Sequence, residues 1–169
     1  MNRTFAGVVA FVCSALLLYT GTGFAANIGT VYPFVGQISD LVYDDLRDQV
    51  YLANFAENRV EVFSVGGRQV VGRVPTGQQP SSLAISPDRQ ALYVANFASF
   101  TLTVIYLNTL EVMGEFPLGV RPDAIAVGND GLVVILGSVG LMRFDPATRQ
   151  ITRLAISPPP VPPAGLPTT

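Results

Sequence analysis

Pro87–Asn96, with the sequence PDRQALYVAN, joins a turn to a short apolar strand, and parts of this pattern return along the chain. The segment Tyr51–Phe55 (YLANF) recurs as Tyr93–Phe97 (YVANF), 42 residues later. Pro80–Ile85 recurs as Pro122–Val127 at the same interval, with its apolar character kept. A fixed period of this length indicates a repeat architecture, in which each repeat folds into one structural unit.

The middle repeat contains four short runs rich in β-branched and aromatic residues, separated by residues that favour turns. The runs are Ser82–Ser86, Ala91–Asn96, Thr101–Leu107 and Glu111–Phe116. Four strands in every 40 to 45 residues are the sequence signature of a β-propeller blade. The chain is therefore predicted to be all-β, with about three four-stranded blades in an incomplete or open propeller. The first strand of each blade is nearly all apolar or small, so we expect it to be buried on both faces near the propeller axis.

The predicted domain organisation follows the same period. The repeat region is expected to span residues 27–156, with repeats at about 36–77, 78–119 and 120–156.

The turn at Pro87, the strand Tyr93–Asn96 and the link Gly119–Pro122 together resemble the YVTN-type β-propeller repeat. The resemblance covers roughly residues 36–156 and implies an extracellular or periplasmic protein of a bacterium or archaeon, from a family that typically has seven blades. Ala95 replaces the usual threonine of the motif, and the third repeat lacks both its tyrosine and its asparagine. The third repeat is also about three residues shorter, a loss that we place at the tip after Ser138.

The number of blades is too small for a closed ring. Residues 36–156 hold about 2.9 periods of 42 residues, whereas closed propellers usually have about four to eight blades. The chain is therefore interpreted as a truncated piece of a larger secreted propeller protein, or as an open half-propeller that self-associates to complete a ring. Ile28–Gly36 resembles an outermost strand and its link, and the Pro-rich segment 157–169 is expected to be an extended tail or linker.

Residues 1–26 have the pattern of a signal peptide. Arg3 precedes the apolar run Phe5–Tyr19, whose 15 residues fall short of the roughly 18 to 20 that span a bilayer. Small residues follow, so cleavage is expected after Ala25 or Ala26. The protein is predicted to be secreted or periplasmic. The alternative is an uncleaved leader that anchors it in a membrane.

Charge and composition restrict the function. After residue 26 the chain has nine arginines against twelve acidic residues and no basic run, which excludes nucleic-acid binding. The same part lacks His, Lys and Cys, which removes Ser-His-Asp and Cys-His catalysis, Schiff-base chemistry and ordinary zinc sites. We therefore expect no catalytic residues, no cofactor and no metal site.

Few residues stand out as candidates for ligand contact. The acidic cluster Asp44, Asp45 and Asp48 falls on a turn between strands and is interpreted as a solvated β-turn, with a weak calcium site as the alternative. The recurring Phe55 and Phe97 are assigned to packing between blades. The candidate binding residues are those in the links between blades, which should lie at one mouth of the central channel: Gln37, Gln78, Gln79 and Arg121.

Two functional hypotheses follow. The first is a non-enzymatic, exported binding or interaction module for an unknown protein or small-molecule ligand. The second is a remnant of a lactonase-like or dehydrogenase-associated propeller enzyme, which the family resemblance implies. The second would need convergent ligands on the inner strands, where Asp40 and Asp123 are the only acids nearby. The first is preferred, because a fold alone does not supply an activity.

Overall fold

Twelve antiparallel strands in three four-stranded sheets lie between Ile38 and Arg153 of the computed structural model, which describes residues 31–154. Each sheet contains four strands that are consecutive in the chain, so β1–β4 form blade 1, β5–β8 form blade 2 and β9–β12 form blade 3. The described residues contain no helix. The strands are β1 (Ile38–Asp44), β2 (Gln49–Asn54), β3 (Arg59–Ser64), β4 (Gln69–Pro75), β5 (Pro80–Ile85), β6 (Ala91–Asn96), β7 (Thr101–Tyr106), β8 (Glu111–Pro117), β9 (Pro122–Val127), β10 (Val133–Gly137), β11 (Gly140–Asp145) and β12 (Gln150–Arg153).

The fold prediction is confirmed. The four strands predicted for the middle repeat agree with β5–β8 to within two residues at each end. Within each blade the strands pair with their neighbours in sequence, as short turns between antiparallel strands require.

The three blades are arranged side by side around their first strands. β5 lies between β1 and β9, and side chains of one blade bond the backbone of the next. The Leu83 amide donates to Asp40 Oδ2 at 2.8 Å, and the Ile125 amide donates to Ser82 Oγ at 3.3 Å. Asp40 and Ser82 stand one sequence period apart, so the 42-residue repeat is also the period of packing between blades.

Two apolar layers hold the blades together. In the first, Tyr51, Val60 and Val62 of blade 1 face Leu92, Val94 and Ile105 of blade 2. In the second, the opposite face of blade 2 meets blade 3, through Tyr93, Leu102, Val104, Val133, Ile135, Met142 and Phe144. Blade 2 is therefore covered on both faces, because adjacent strand residues point to opposite sides of a sheet.

The expectation that the first strands are buried on both faces was wrong for β1 and β9, which both carry exposed side chains, whereas no side chain of β5 is exposed. Side chains of β1 alternate between half-buried and exposed, and Leu41 is 60% exposed. The second strands, β2 and β6, are the most buried instead. The reason is geometric: a second strand has a paired strand on each edge and packs against a neighbouring blade, whereas a first strand lines the channel and would need cover from across it.

Blade 3 is three residues shorter than blade 2, but only part of this loss is at the tip. One residue is missing from the turn before β10, so Leu136 takes the place of Ala95, 41 residues away. Two more are missing at the tip, where Ser138–Val139 replaces the four-residue turn Phe97–Phe100. The assignment of all three to the tip after Ser138 was therefore wrong.

No other described strand covers the outer face of blade 3. Leu136 and Leu141 on this face are 47% and 37% exposed. Their counterparts in blade 2, Ala95 and Leu102, are fully buried, since blade 3 lies against them. The three blades form an open, incomplete propeller.

Some predictions fall partly or wholly beyond the described residues. The segment 28–36 was predicted to be an outermost strand and its link, and its described part, residues 31–36, contains no strand. Each described blade already has its own fourth strand, so no third strand is free to pair with this segment. The predicted leader (1–26), residues 28–30 of that strand and the tail (157–169) lie outside the described residues. Within residues 31–154 no helix is long and apolar enough to cross a membrane.

Candidate functional site

The four predicted link residues lie together at one end of the blades, beside the turns that join the second and third strands. Gln37, Gln79 and Arg121 hold the same position of three repeats, and each accepts a hydrogen bond through its backbone carbonyl. The donors are the amides of Phe55 at 2.7 Å, Phe97 at 2.9 Å and Ser138 at 3.0 Å, while the Gln78 carbonyl accepts from the Ala98 amide at 3.1 Å. These residues therefore tie the links to the turns, whatever their side chains contact.

The side chain of Arg121 is held in place at this end. Its guanidinium carbon lies 4.8 Å from the centre of the Phe97 ring, and its Nε donates to Asp123 Oδ1 at 3.2 Å. The Phe97 ring in turn lies 6.1 Å from that of Phe55 in blade 1. This geometry agrees with the assignment of the recurring phenylalanines to packing between blades.

The opposite end of the interface between blades 1 and 2 is closed by a set of side chains that we call the clasp. Its acidic members come from the cluster predicted to be a solvated turn, but Asp44 is fully buried, so that interpretation was wrong for this residue. Arg47 Nη1 donates to Asp44 Oδ2 at 2.8 Å, and Arg89 of blade 2 pairs with Asp45 at 2.8 Å. Because a buried carboxylate needs a charged partner, the two arginines make this burial possible.

The clasp also reaches polar groups on blade 2. Arg47 donates to the backbone carbonyl of Arg89 at 2.9 Å and to Asn108 Oδ1. Leu107, 2% exposed, belongs to the apolar cluster between blades 1 and 2. The clasp thus consists of two arginines, two aspartates, an asparagine and a leucine: Asp44, Asp45, Arg47, Arg89, Leu107 and Asn108.

The corresponding place between blades 2 and 3 is a cavity of about 470 Å³, which we call the blade 2–3 groove. The structural counterparts of five clasp residues line it, and each is smaller or uncharged: Ser86 for Asp44, Pro87 for Asp45, Gly131 for Arg89, Pro146 for Leu107 and Ala147 for Asn108. The counterpart of Arg47 is Arg89, which the acids of blade 1 hold on the other side of blade 2. The groove is open because the residues that close the first interface are absent from the second.

Three aspartates line the groove, and none lies within salt-bridge distance of an arginine among the described residues. Asp88 Oδ1 accepts from Ser86 Oγ at 2.5 Å and from the Gln90 amide at 3.0 Å, and these bonds lower the pKa of Asp88. The Ala147 amide donates to Asp145 Oδ1 at 2.9 Å and lowers the pKa of that carboxyl, while Asp130 Oδ1 accepts from the Leu132 amide at 3.1 Å. In all three, the turn bonds Oδ1 of the carboxylate.

Aromatic and apolar side chains form the floor of the groove. Tyr93 is 3% exposed, and burial, followed by the charge of Asp88, raises the pKa of its hydroxyl. Tyr106 lies beside it and accepts a hydrogen bond from Asn108 Nδ2 at 2.8 Å. A smaller cavity of about 110 Å³, lined in part by Phe116 and Phe144, shares Tyr93 and adjoining residues with the groove. The groove therefore combines an apolar floor with an acidic rim.

A second cavity, of about 430 Å³, opens on the channel side of the same turns. The ends of the three first strands line it through Val42, Ile85 and Val127, together with Arg89 and Asn129. It shares Ser86, Pro87 and Asn129 with the blade 2–3 groove, so the two cavities meet around one turn. Both lie at the end of the blades opposite the predicted link residues.

No group of three potential metal-ligating side chains converges within residues 31–154. In the acidic cluster of blade 1, Asp44 and Asp45 are paired with arginines. Asp48 accepts from Tyr43 Oη at 3.0 Å and from the Gly66 amide at 2.9 Å. All three carboxylates thus have partners within the protein, and the calcium alternative receives no support from their arrangement.

The sequence analysis missed the groove and placed the candidate site at the other end. A signal was present, because Arg47 and Arg89 recur with the period of 42 and Gly131 breaks this series. The break in this series indicates an open interface only when it is known that the Arg89 side chain turns toward blade 1.

No protein-family model matches the chain, and no curated protein matches it. Solved structures do match. Hydrazine synthase from Kuenenia stuttgartiensis superposes with a TM-score of 0.66 and 20% sequence identity, over 75% of this chain and 38% of that chain. The dihydro-heme d1 dehydrogenase NirN, in complex with DHE, superposes with a TM-score of 0.64 and 18% identity, over 75% of this chain and 30% of that chain.

This chain thus spans well under half the length of either solved structure. At this identity the similarity shows the β-propeller type of fold alone. The assignment to the YVTN-type family is not confirmed and stays a prediction.

Proposed function

We propose that this chain is an exported binding module on an open β-propeller and that the blade 2–3 groove is its ligand site. Protein interiors are close-packed, and an interface gains stability when it is filled. The first interface follows this rule through the clasp, whereas the second keeps an opening of about 470 Å³, within the range of about 300 to 1,000 Å³ common for ligand pockets. The absence of a clasp at this one interface is the observation that carries the proposal.

The chemistry of the groove supports binding rather than catalysis. Its lining offers carboxylates, tyrosine hydroxyls and backbone groups, and the chain after residue 26 contains no His, Lys or Cys. The lowered pKa values of Asp88 and Asp145 make these carboxyls poor proton donors at neutral pH. We therefore propose a non-enzymatic role for an unidentified protein or small-molecule partner.

A nuclear magnetic resonance titration tests this role. The ¹⁵N-labelled chain is titrated with a mixture of capped dipeptides that carry acidic, basic and neutral side chains. Binding in the groove predicts amide shifts concentrated at residues 86–91, 129–132 and 145–147. Shifts confined to Gln37, Gln78, Gln79 and Arg121 would place the site at the other mouth instead. A spectrum without shifts would contradict a binding role for both surfaces.

The alternative function is that of an enzyme remnant. The two solved structures named above carry the names of enzymes, a synthase and a dehydrogenase, and this is the observation behind the alternative. A lactone-hydrolysis assay with and without calcium separates the two readings. Calcium-dependent turnover by the purified chain would favour the enzyme and count against the binding module.

Export is proposed from residues 1–26. Mass spectrometry of the protein recovered after expression with its own leader should give a chain that begins at Ala26 or Asn27. An intact N-terminus in the membrane fraction would support the anchored alternative.

The exposed apolar face of blade 3 supports the proposal that another blade packs against it and continues the ring. Leu136 and Leu141 are exposed where the equivalent residues of blade 2 are buried, and such apolar surface favours association. The cover is proposed to come from a second copy or from further blades of a larger parent protein. Light scattering separates the two, because a monodisperse monomer would exclude self-completion and favour a larger parent.

A further inference from the structure

We propose that the blade 2–3 groove binds an arginine side chain of a peptide, together with an adjacent apolar side chain. This inference rests on the proposed function and names the chemistry of its ligand. It comes from a comparison of the two interfaces within the molecule. The groove occupies, between blades 2 and 3, the position at which the clasp inserts guanidinium groups between blades 1 and 2.

The clasp demonstrates how a guanidinium fits between two blades. Arg47 donates from one guanidinium to an aspartate of its own blade, to the Arg89 carbonyl of the next blade and to Asn108. Leu107 supplies the apolar neighbour, buried to 2% exposure. At the second interface, neither the arginine nor the leucine side chain has a counterpart of similar size. Gly131 and Pro146 of blade 3 hold the positions that Arg89 and Leu107 hold in blade 2.

The charge of the groove complements a guanidinium. Of the residues that line it, three are aspartates and none is a lysine or arginine. Asp88 and Asp130 come from the first turns of blades 2 and 3, and Asp145 comes from the end of β11, so the rim is acidic on both blades. None of the three carboxylates forms an ion pair with an arginine of residues 31–154, unlike Asp44 and Asp45. A ligand cation would supply this missing partner.

Arginine suits the rim better than lysine does. A guanidinium presents five donors in a planar fork and can bond carboxylates on two blades at once, whereas an ammonium acts as a point charge. The guanidinium plane also stacks on aromatic faces, and the half-buried Tyr106 lines the floor. An inorganic cation is a poorer fit, because no three ligating side chains converge among the described residues.

The test compares two capped dipeptides by nuclear magnetic resonance on the full chain. Acetyl-Arg-Leu-amide carries the proposed charge, and acetyl-citrulline-Leu-amide has nearly the same shape without it. We expect the arginine peptide to shift amides at residues 86–91, 129–132 and 145–147, and to bind about tenfold more tightly than the citrulline peptide, as one charge-assisted hydrogen bond would give. Raising the salt concentration should weaken the arginine peptide selectively.

Two variants localise the binding. Gly131→Arg places an arginine in the groove at the cost of some backbone strain, because Gly131 has φ +81°; Arg89 has φ +58° at the same turn position of blade 2, so the turn tolerates an arginine there. Gly119→Arg is the matched control at the opposite end, with φ +69° and likewise no atom within 4 Å of an added Cβ. Gly131→Arg should weaken the arginine peptide about tenfold or more, and Gly119→Arg should leave it within about twofold.

A second pair of variants does not depend on filling the groove. Asp88→Asn combined with Asp145→Asn removes two rim charges and should weaken the arginine peptide at least about tenfold, with the citrulline peptide unchanged. Asp123→Asn, an acid at the other end of the blades, is the control. This pair carries the test if Gly131→Arg lowers the unfolding midpoint enough to leave the chain unfolded.

The outcomes separate this inference from the proposed function. Equal affinity for the arginine and citrulline peptides, or insensitivity to the paired Asp→Asn variant, would overturn the guanidinium assignment. If another dipeptide still shifts the groove amides, the binding module survives. If no dipeptide shifts them, both proposals fail.

Discussion

Leu102 and Leu141 hold the same position in blades 2 and 3, on strands β7 and β11, and differ in what covers them. Leu102 is fully buried against blade 3, whereas Leu141 is 37% exposed on the outer face. Truncation of each to alanine therefore removes the same atoms from two environments. The pair measures how much the packing of one blade on the next contributes to stability.

The expected magnitudes follow from burial. Leu102→Ala removes three buried carbon atoms and leaves a closed cavity, which should lower the free energy of unfolding by about 3 kcal/mol. Leu141→Ala leaves no closed cavity, since solvent reaches the site, and should lower it by about 1 kcal/mol. For a domain of this size, the difference of about 2 kcal/mol corresponds to roughly 4 to 8 °C in Tm.

Urea unfolding followed by circular dichroism measures both variants and the parent chain under identical conditions. The protein concentration must be low enough for a monomer, because association through blade 3 would bury Leu141. An unchanged slope m would show that the folded and unfolded states keep their exposed surfaces. Equal losses of stability for the two variants in the monomer would refute the proposed stacking of blade 2 between its neighbours.

Three further predictions concern charged and titratable groups. Asp44→Asn should lower the free energy of unfolding by about 2 kcal/mol, because it leaves the clasp arginines without their buried partner, whereas the exposed Asp45→Asn should cost less than about 1 kcal/mol in the same urea titration. The folded-state pKa of Asp88 lies below its unfolded value, so its contribution is present above about pH 4 and is lost as pH falls through the folded pKa. Ser86→Ala removes the leading cause of that shift, so the urea midpoint of this variant should fall less between pH 7 and pH 3 than that of the parent, and an equal fall would contradict the assignment. Burial raises the pKa of Tyr51 to about 12, so stability should be lost as pH rises from about 10 through 12; Tyr51→Phe should flatten this loss, and a curve that keeps the parent's slope would argue against a buried hydroxyl.

The repeat and the strands could be read from the sequence because each depends on local chemistry. Turn residues such as Pro87 and apolar runs such as Ala91–Asn96 favour their conformations wherever they occur. Burial depends on neighbours instead. The apolar composition of the first strands predicted burial on both faces, yet Leu41 is exposed because three blades leave the channel open.

The groove could not be predicted for a related reason. Asp44 stands in a turn rich in acids, and only the folded arrangement shows that Arg47 and Arg89 converge on it and bury it. The break in this series at Gly131 becomes a cavity because Arg89 turns toward blade 1 and not toward blade 3. The Arg89 side chain could reach toward blade 1 or toward blade 3, and no pattern in the sequence shows which of the two it contacts.

The stacking of one four-stranded repeat on the next is tested most directly by nuclear Overhauser effects between aromatic rings of adjacent blades. The rings of Phe55 and Phe97 lie 6.1 Å apart, and those of Tyr93 and Phe144 lie 6.3 Å apart. Both pairs should give cross-peaks in the same sample. Their absence, together with cross-strand amide contacts between β4 and β5, would show that the repeats join edge to edge and would contradict the propeller.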